Sequence, residues 1–273
     1  PSLNNLYIIN NSSFAGGGVA FISNSQTSLN PKIFNCVIQD NQASEGGGIF
    51  CANKNLYVSN TDILFNGMDP YGSGGGIQII LGELMLENVN ISNNQTKFGG
   101  GMYIANSFAS LLSVVLDNNS AESKGGGLWI GNESEVFCNK TIFSDNYSEG
   151  FGGGIFLSNS FIGLDKVTIV NNVISSAVTG AGVYADGGNA LITNSIVYYN
   201  RKINNDSNNY NLNGYSGDFF NEFQISYSDI EYPLSSQLNG LGIVSDFPEF
   251  TDPEVGAYDL MPSSPCIDSG DPD

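Results

Sequence analysis

Histidine is absent from this chain of 273 residues, and arginine and tryptophan each occur once, as Arg201 and Trp129. Without histidine, Ser-His-Asp and Cys-His catalytic groups are excluded, and so are metal centres built on imidazole. The four cysteines show no CxxC spacing, so we expect buried free thiols and neither a zinc site nor disulfides. They are Cys36, Cys51, Cys138 and Cys266.

Positive charge is scarce. Eight Lys and Arg residues face 27 Asp and Glu residues, which gives a formal net charge of −19. Nucleic acid and anionic membrane surfaces would repel such a chain, whereas divalent cations would be attracted. We therefore expect no nucleic-acid partner. No apolar run is long enough to cross a bilayer and no signal peptide is recognisable, so we expect no membrane insertion and a mature piece of a longer extracellular protein.

Glycine, by contrast, is abundant and patterned. Three consecutive glycines followed by an aliphatic residue occur six times, 25 to 30 residues apart, and a degenerate seventh copy follows. A fixed period in this range predicts a stacked repeat, in which each unit buries its apolar face against its neighbours. The copies begin at Gly16, Gly46, Gly74, Gly99, Gly125, Gly152 and Gly180.

Each repeat contains three short apolar segments. After the glycines, apolar residues alternate at period two, which predicts a strand with two inward columns, such as Ile49 and Cys51. A second strand ends in asparagine, as in TIFSDN to Asn146, and has an apolar residue three positions earlier. A third run lies between them, as in LMLEN to Asn88. Three strands per repeat predict an all-β, triangular coil.

Asparagine marks the expected corners. It tolerates the left-handed backbone of a sharp corner, and its amide can hydrogen-bond the same amide in the next coil. We therefore expect two asparagine ladders. One comprises Asn24, Asn53, Asn106, Asn132 and Asn159, and the other Asn41, Asn66, Asn94, Asn119, Asn146, Asn172 and Asn200. The triple glycines fit positions where coils approach closely or where φ is positive.

The pairing of GGG-aliphatic with FxxN-like tetrads, of which Phe143-Ser144-Asp145-Asn146 is a full match, resembles the repeats of chlamydial polymorphic outer-membrane proteins and of right-handed parallel β-helix proteins. This resemblance covers about Leu3 to Asn200. The tail, including Ile225–Glu231, Asp246–Phe250 and Ser264–Pro272, resembles the closing segment of secreted β-helix proteins of Bacteroidetes-like bacteria. The resemblance implies a right-handed, single-stranded parallel β-helix with an irregular C-terminal cap. It also implies a secreted or surface protein of a Gram-negative bacterium, often adhesive or carbohydrate-associated.

One elongated domain accounts for the whole chain. Residues 1–200 should form the β-helix coils, and residues 201–273 the final coils, a polar loop and the C-terminal capping segment of the same domain.

An aromatic column is the main candidate ligand-binding feature. Between the two inward columns of the first strand lie Phe50, Tyr103, Trp129, Phe156 and Tyr184, which should face solvent about 4.8 Å apart. Exposed aromatic rows bind sugar rings or partner proteins. The alternative is that the rings stack on one another and stabilise the sheet.

Polysaccharide lyases and hydrolases use this architecture, so catalytic and calcium sites need candidates. Arg201 and Lys202 would supply a base beside Asp206 and Asp218. For calcium, the candidates are these two aspartates together with Asp268 and Asp271 in the acidic tail. Acidic residues of this kind also cap the end of a solenoid, which must be polar to prevent end-to-end association.

Three functions remain open. The first is a non-enzymatic extracellular module for adhesion, display or structural spacing that contacts a polysaccharide or a neighbouring cell surface along the aromatic column. The second is a carbohydrate-active lyase or hydrolase. The third is a filament or surface-layer building block, which edge pairing at Leu3 to Asn10 would favour.

Overall fold

The chain folds as a parallel β-helix. The computed structural model describes residues 1–23, 30–175, 180–203, 211–214, 222–231, 240–267 and 270. Within them, three sheets run along the solenoid, and every strand pair in these sheets is parallel. Helical structure among these residues is limited to a 3-10 turn at Pro253–Val255 and to the single helical residue Glu222. The all-β, parallel β-helix prediction is confirmed.

The first sheet contains the strands that follow the glycines. Their registers pair each strand with its equivalent one repeat later, for example Met102 with Leu128. The strands are Val19–Ile22, Ile49–Ala52, Ile77–Ile80, Met102–Ala105, Leu128–Gly131, Ile155–Ser158, Val183–Asp186 and Leu212–Gly214.

The second sheet is bent, and most coils contribute two strands to it. A complete coil therefore has four strand segments, whereas the sequence predicted three. The first half contains Ser2–Asn4, Lys32–Phe34, Phe108–Leu112, Glu135–Asn139, Phe161–Asp165, Asn189–Thr193 and Phe223–Ser226. The second half contains Tyr7–Ile9, Val37–Gln39, Val115–Asp117, Ile142–Ser144, Thr168–Val170, Ile196–Tyr198 and Asp229–Ile230. Two longer strands, Leu56–Leu64 and Glu83–Ser92, span both halves.

The third sheet leads back to the glycines. Its strands are Gly67–Ser73, Gln95–Phe98, Ser120–Lys124, Tyr147–Ser148, Val173–Ile174 and Arg201–Lys202.

The predicted inward columns form one continuous core. Ile49, Cys51 and Ile63 are completely buried, and their equivalents in later coils are buried with them. In the first coil, Val19 and Phe21 are only partly buried because no described coil covers their outer side. Cys36, Cys51 and Cys138 are buried free thiols, and Cys266 is partly exposed. Burial raises the pKa of Cys51 to about 12 and raises that of Cys138 further still.

One of the two predicted asparagine ladders is present. Asn41, Asn66, Asn94, Asn119, Asn146, Asn172 and Asn200 are buried, and each donates from its backbone N and from Nδ2 to the Oδ1 of the next rung. The ladder continues to Asn211, a rung that was not predicted from the sequence. The left-handed residue of this corner is the one before each rung, such as Asn118 at φ 52°.

The other predicted corner differs. Asn53, Asn106, Asn132 and Asn159 have the expected left-handed backbone, and Asn24 lies outside the described residues. At this corner Asn106 Nδ2 donates to a backbone carbonyl, that of Asn132. The repeating side-chain ladder is formed instead by serines: the backbone N of Ser107 donates to Ser134 Oγ, and the backbone N of Ser134 donates to Ser160 Oγ.

The triple glycines serve both predicted purposes, at different positions. The first glycine of each run has positive φ, as Gly125 does at 67°. The second and third lie against the backbone of the next coil. A Cβ on Gly126 would lie 2.2 Å from the carbonyl oxygen of Tyr147, which no side chain can tolerate.

The C-terminal segment closes one end of the core and then turns back. Val244 pairs with Asp229, and Ile243 packs against the core. The antiparallel hairpin Phe250–Asp252 and Ala257–Leu260 lies on the outer face of the second sheet, where Phe250 and Tyr258 pack on Val170. This is the irregular cap expected from the sequence.

Candidate functional site

The predicted aromatic column is in place, but it is not an exposed wall. Phe50, Phe156 and Tyr184 are 6%, 1% and 3% exposed, and only Tyr103 and Trp129 are half-buried. The expectation that all five rings face solvent is therefore wrong. The physical reason is that neighbouring residues cover the rings: Phe151 lies 4.6 Å from Tyr184 between ring centroids, and Lys124 Nζ lies 4.4 Å from the centroid of Phe156.

Four rings of this column, from Tyr103 to Tyr184, stack along the solenoid axis, whereas Phe50 lies in register with Ala20 and Gln78. Tyr103 and Trp129 are 4.1 Å apart and within 5° of parallel, and Phe156 and Tyr184 are 5.9 Å apart and within 6°. Stacked rings use their faces on one another, whereas a sugar ring needs an exposed aromatic face. The geometry favours the second interpretation of the sequence, in which the rings stabilise the sheet.

A second aromatic cluster, which was not predicted from the sequence, lies on the first half of the second sheet. It consists of Phe108, Phe137 and Phe161, with centroid separations of 5.8 and 5.5 Å and interplanar angles of 42° and 52°. Phe108 is 37% exposed and Phe137 is 43% exposed. Because the rings are tilted, they are not stacked face to face. The signal was available in the outward positions of FASLL, EVFCN and FIGLD.

A glycine makes room for this cluster. Gly163 is opposite Phe137 in the next coil, and a Cβ there would lie 3.0 Å from a carbon of the Phe137 ring. The ring therefore lies over the glycine. A glycine in mid-strand commonly marks such a close approach.

Exposed aliphatic residues extend the cluster into an apolar wall. We define the apolar wall as the exposed side chains of Met85, Phe108, Leu112, Phe137 and Leu191, all on the outward face of the first half of the second sheet. Contiguous exposed apolar surface of this kind is typical of interaction sites.

A groove follows the corner between the first and second sheets, beside the apolar wall. It consists of two adjoining cavities of about 560 and 860 Å³, which share the lining residues Asn106, Glu133 and Glu135. We call it the corner groove. Phe108 lines one cavity and Phe161 the other. Glu83 also lines it, and Lys54 is its only cationic lining residue among those described.

The predicted catalytic and calcium sites are only partly within the described residues. Arg201 and Lys202 form a strand at the end of the third sheet, where Arg201 is exposed. Asp206, Asp218, Asp268 and Asp271 lie outside the described residues. Among the residues that the structure describes, no three Cys, Asp or Glu side chains are placed to hold a metal ion. The catalytic and calcium assignments stay predictions.

Two acidic side chains hold the C-terminal segment: Asp145, which is exposed, and Asp229, which is buried. The Tyr258 hydroxyl donates to Asp145 Oδ2 at 2.8 Å and accepts from Asn171 Nδ2, which pins the hairpin to the second sheet. Cys266 Sγ donates to Asp229 Oδ2 at 3.0 Å. Burial, assisted by the charges of Asp246 and Glu231, raises the pKa of Asp229 to about 6. These contacts are structural.

A family model supports the interpretation of the repeats. The Chlamydia polymorphic membrane protein (Chlamydia_PMP) repeat matches residues 140–158, which include the Phe143–Asn146 tetrad and the glycines at 152–154. The chain is thus a parallel β-helix repeat protein that resembles polymorphic outer-membrane proteins. The match indicates a surface or outer-membrane β-helix protein.

Two curated proteins from Dictyostelium discoideum are similar over part of the chain. Metabotropic glutamate receptor-like protein Q is 30% identical over 122 residues, which cover 44% of this chain and 10% of that protein. Metabotropic glutamate receptor-like protein R is 24% identical over 183 residues, covering 57% and 11%. The chain spans about a tenth of the length of these relatives. Neither comes from a bacterium, and a Gram-negative source stays a prediction. In the described part of the chain, no helix is long and apolar enough to cross a membrane.

Proposed function

We propose that this chain is an extracellular, surface-exposed β-helix module for adhesion, display or structural spacing, and that the apolar wall is its interacting face. The single observation that carries the proposal is the group of five exposed large apolar side chains that share this one face. Soluble proteins rarely expose contiguous apolar surface unless it contacts a partner.

The scaffold around the wall supports this function. The asparagine ladder, the stacked aromatic column and the close-packed glycines connect successive coils through the interior and along the first sheet. These contacts hold neighbouring coils in register. The side chains on the outward face are therefore displayed at a fixed spacing of about 4.8 Å, as a repeated contact surface requires.

One outward column of the wall can be made polar by substitution to serine. Met85, Ser110, Phe137, Gly163 and Leu191 follow one another in register, so a serine already occupies this column in the native chain. The triple variant Met85→Ser, Phe137→Ser and Leu191→Ser should remove three of the five side chains that define the wall without disturbing the core. A matched control, Phe65→Ser with Tyr71→Ser, removes two exposed aromatic residues from other faces.

The test is retention of beads that carry the full chain on mucin and albumin surfaces under flow. We expect retention on mucin above that on albumin, a loss of at least about tenfold in the triple variant, and no loss in the control. Equal retention of the triple variant, or no retention on mucin above that on albumin, would contradict the proposal. Glycan contact at the half-buried edges of Tyr103 and Trp129 is tested separately by Trp129 fluorescence during a polysaccharide titration.

A further inference from the structure

From the geometry of the corner groove, we infer that it binds a linear polysaccharide that carries no acidic groups. The inference rests on the proposed function, since it names a partner for a surface next to the apolar wall. It requires three properties of the groove: length, exposed aromatic faces and the sign of its charge.

The groove has the length and direction for a polymer. Equivalent corner residues of successive coils line it from Asn55 through Glu83, Phe108 and Glu135 to Asn189. Five coil-to-coil steps of about 4.8 Å give roughly 24 Å along the solenoid axis. A linear chain laid in the groove would meet the same kind of side chain at each step.

The aromatic rings of the groove are suited to sugar rings. Phe108 and Phe161 contribute rings from alternate coils, and Phe137 lies between them one column away. Their tilts of 42° and 52° mean that they are not stacked face to face as the near-parallel Tyr103–Trp129 pair is, and Phe108 is 37% exposed. Aromatic side chains present an apolar body of this kind to the apolar face of a ligand ring.

Polar side chains along the groove match a hydroxyl-rich ligand. Glu133 and Glu135 are exposed and line the groove, so their carboxylates are accessible to a ligand. Charged acceptors form stronger hydrogen bonds with hydroxyl groups than neutral ones do. Exposed asparagines, such as Asn132, add donors beside them.

Charge determines which polysaccharides are excluded. The groove is lined by three glutamates, Glu83, Glu133 and Glu135, and among the described residues by one lysine, Lys54. The whole chain has a formal net charge of −19. An acidic polysaccharide would be repelled, whereas a neutral one would bind. A polysaccharide with amino groups would bind more tightly through charge attraction, and added salt would screen that attraction.

The experiment is calorimetric titration of the full chain with three hexasaccharides: cellohexaose, a chitosan hexamer and hexagalacturonate. We expect binding of the first two and none of the third, and binding of the chitosan hexamer should weaken with salt. Phe108→Ala and Glu135→Gln should each weaken binding by about tenfold or more. The matched controls Phe65→Ala and Glu122→Gln, at exposed positions outside the groove, should leave it unchanged.

The outcomes separate this inference from the proposed function. If the beads adhere through the apolar wall but neither cellohexaose nor the chitosan hexamer binds, the inference is wrong and the adhesive function stands. If the groove variants weaken hexasaccharide binding but the beads do not adhere, the inference stands and the adhesive function is wrong. Binding that favours hexagalacturonate, or that Phe108→Ala leaves unchanged, would also overturn the inference.

Discussion

Replacing Asn119 by alanine should be among the most damaging single changes in the solenoid. Asn119 is completely buried in the middle of the ladder. Its side chain forms four hydrogen bonds: Oδ1 accepts from the N and Nδ2 of Asn94, and Nδ2 donates to the Ile91 carbonyl and to Asn146 Oδ1. Alanine removes all four and leaves the space of the amide empty.

The cost follows from the groups that lose a partner. Asn94 Nδ2 keeps its bond to the Ile63 carbonyl, and Asn146 Oδ1 keeps its bond from the Asn119 backbone. The buried N–H of Asn94 loses its acceptor, and the carbonyl of Ile91 loses the Nδ2 donor while it stays in the parallel strand pair with the next coil. A buried polar group left unpaired costs about 1–3 kcal/mol, so the free energy of unfolding should fall by about 2–5 kcal/mol.

Asn11 provides the matched control, because it is the exposed first rung. Asn11→Ala removes the bonds from Nδ2 to Asn41 Oδ1 and to the Ile9 carbonyl, but at an exposed residue where water can replace them, and should cost about 1 kcal/mol or less. Urea unfolding is followed by far-UV circular dichroism for the whole solenoid and by Trp129 fluorescence for the coil after Asn119, since repeat arrays need not unfold in one step. If the two variants differed by less than about 1 kcal/mol, the ladder would not stabilise the fold as argued.

Three further predictions test other features. Gly126→Ala should lower the free energy of unfolding by about 2–4 kcal/mol, because the new Cβ would collide with a backbone oxygen. Gly163→Ala should lower it by less than about 1 kcal/mol, because there the new Cβ meets the Phe137 ring, which can move. Urea unfolding measures both. Asp229, whose pKa rises from 3.8 unfolded to about 6 folded, binds more protons in the folded state. Stability should therefore fall as pH rises from about 4 to 6, and Asp229→Asn should flatten that dependence in urea midpoints. Tyr258→Phe loses the bonds to Asp145 and Asn171, so limited proteolysis should cut residues 250–260 several times faster while Trp129 emission stays unchanged; an unchanged cutting rate would mean that apolar packing alone holds the hairpin.

Much of the fold could be predicted because its constraints repeat. A single repeat could be ambiguous, but Ile49, Ile77 and Met102 recur at the same offset from the glycines, and period-two alternation leaves one inward face. The asparagine before the third sheet recurs just as regularly. What was not predicted was the third sheet, since some of its strands, such as Tyr147–Ser148 and Val173–Ile174, are only two residues long and too short to show alternation.

The candidate site was harder to predict than the fold. Alternation correctly placed Phe156 and Tyr184 outside the core, but outward and exposed are different properties. Their covering comes from Lys124 and Phe151, which precede the glycines and reach across the first sheet. Phe108 and Phe137 were missed because outward positions of the second sheet vary in residue type from coil to coil, so no column stands out.

The sequence by itself determined the repeat, the inward columns and the buried asparagine ladder, because each depends on contacts between identical positions in successive coils. Only the tertiary structure decided which outward aromatic residues are exposed and where a groove runs. Those properties depend on how far side chains reach between different faces of one coil. Such contacts leave no periodic pattern in the sequence, because different residue types make them in each coil.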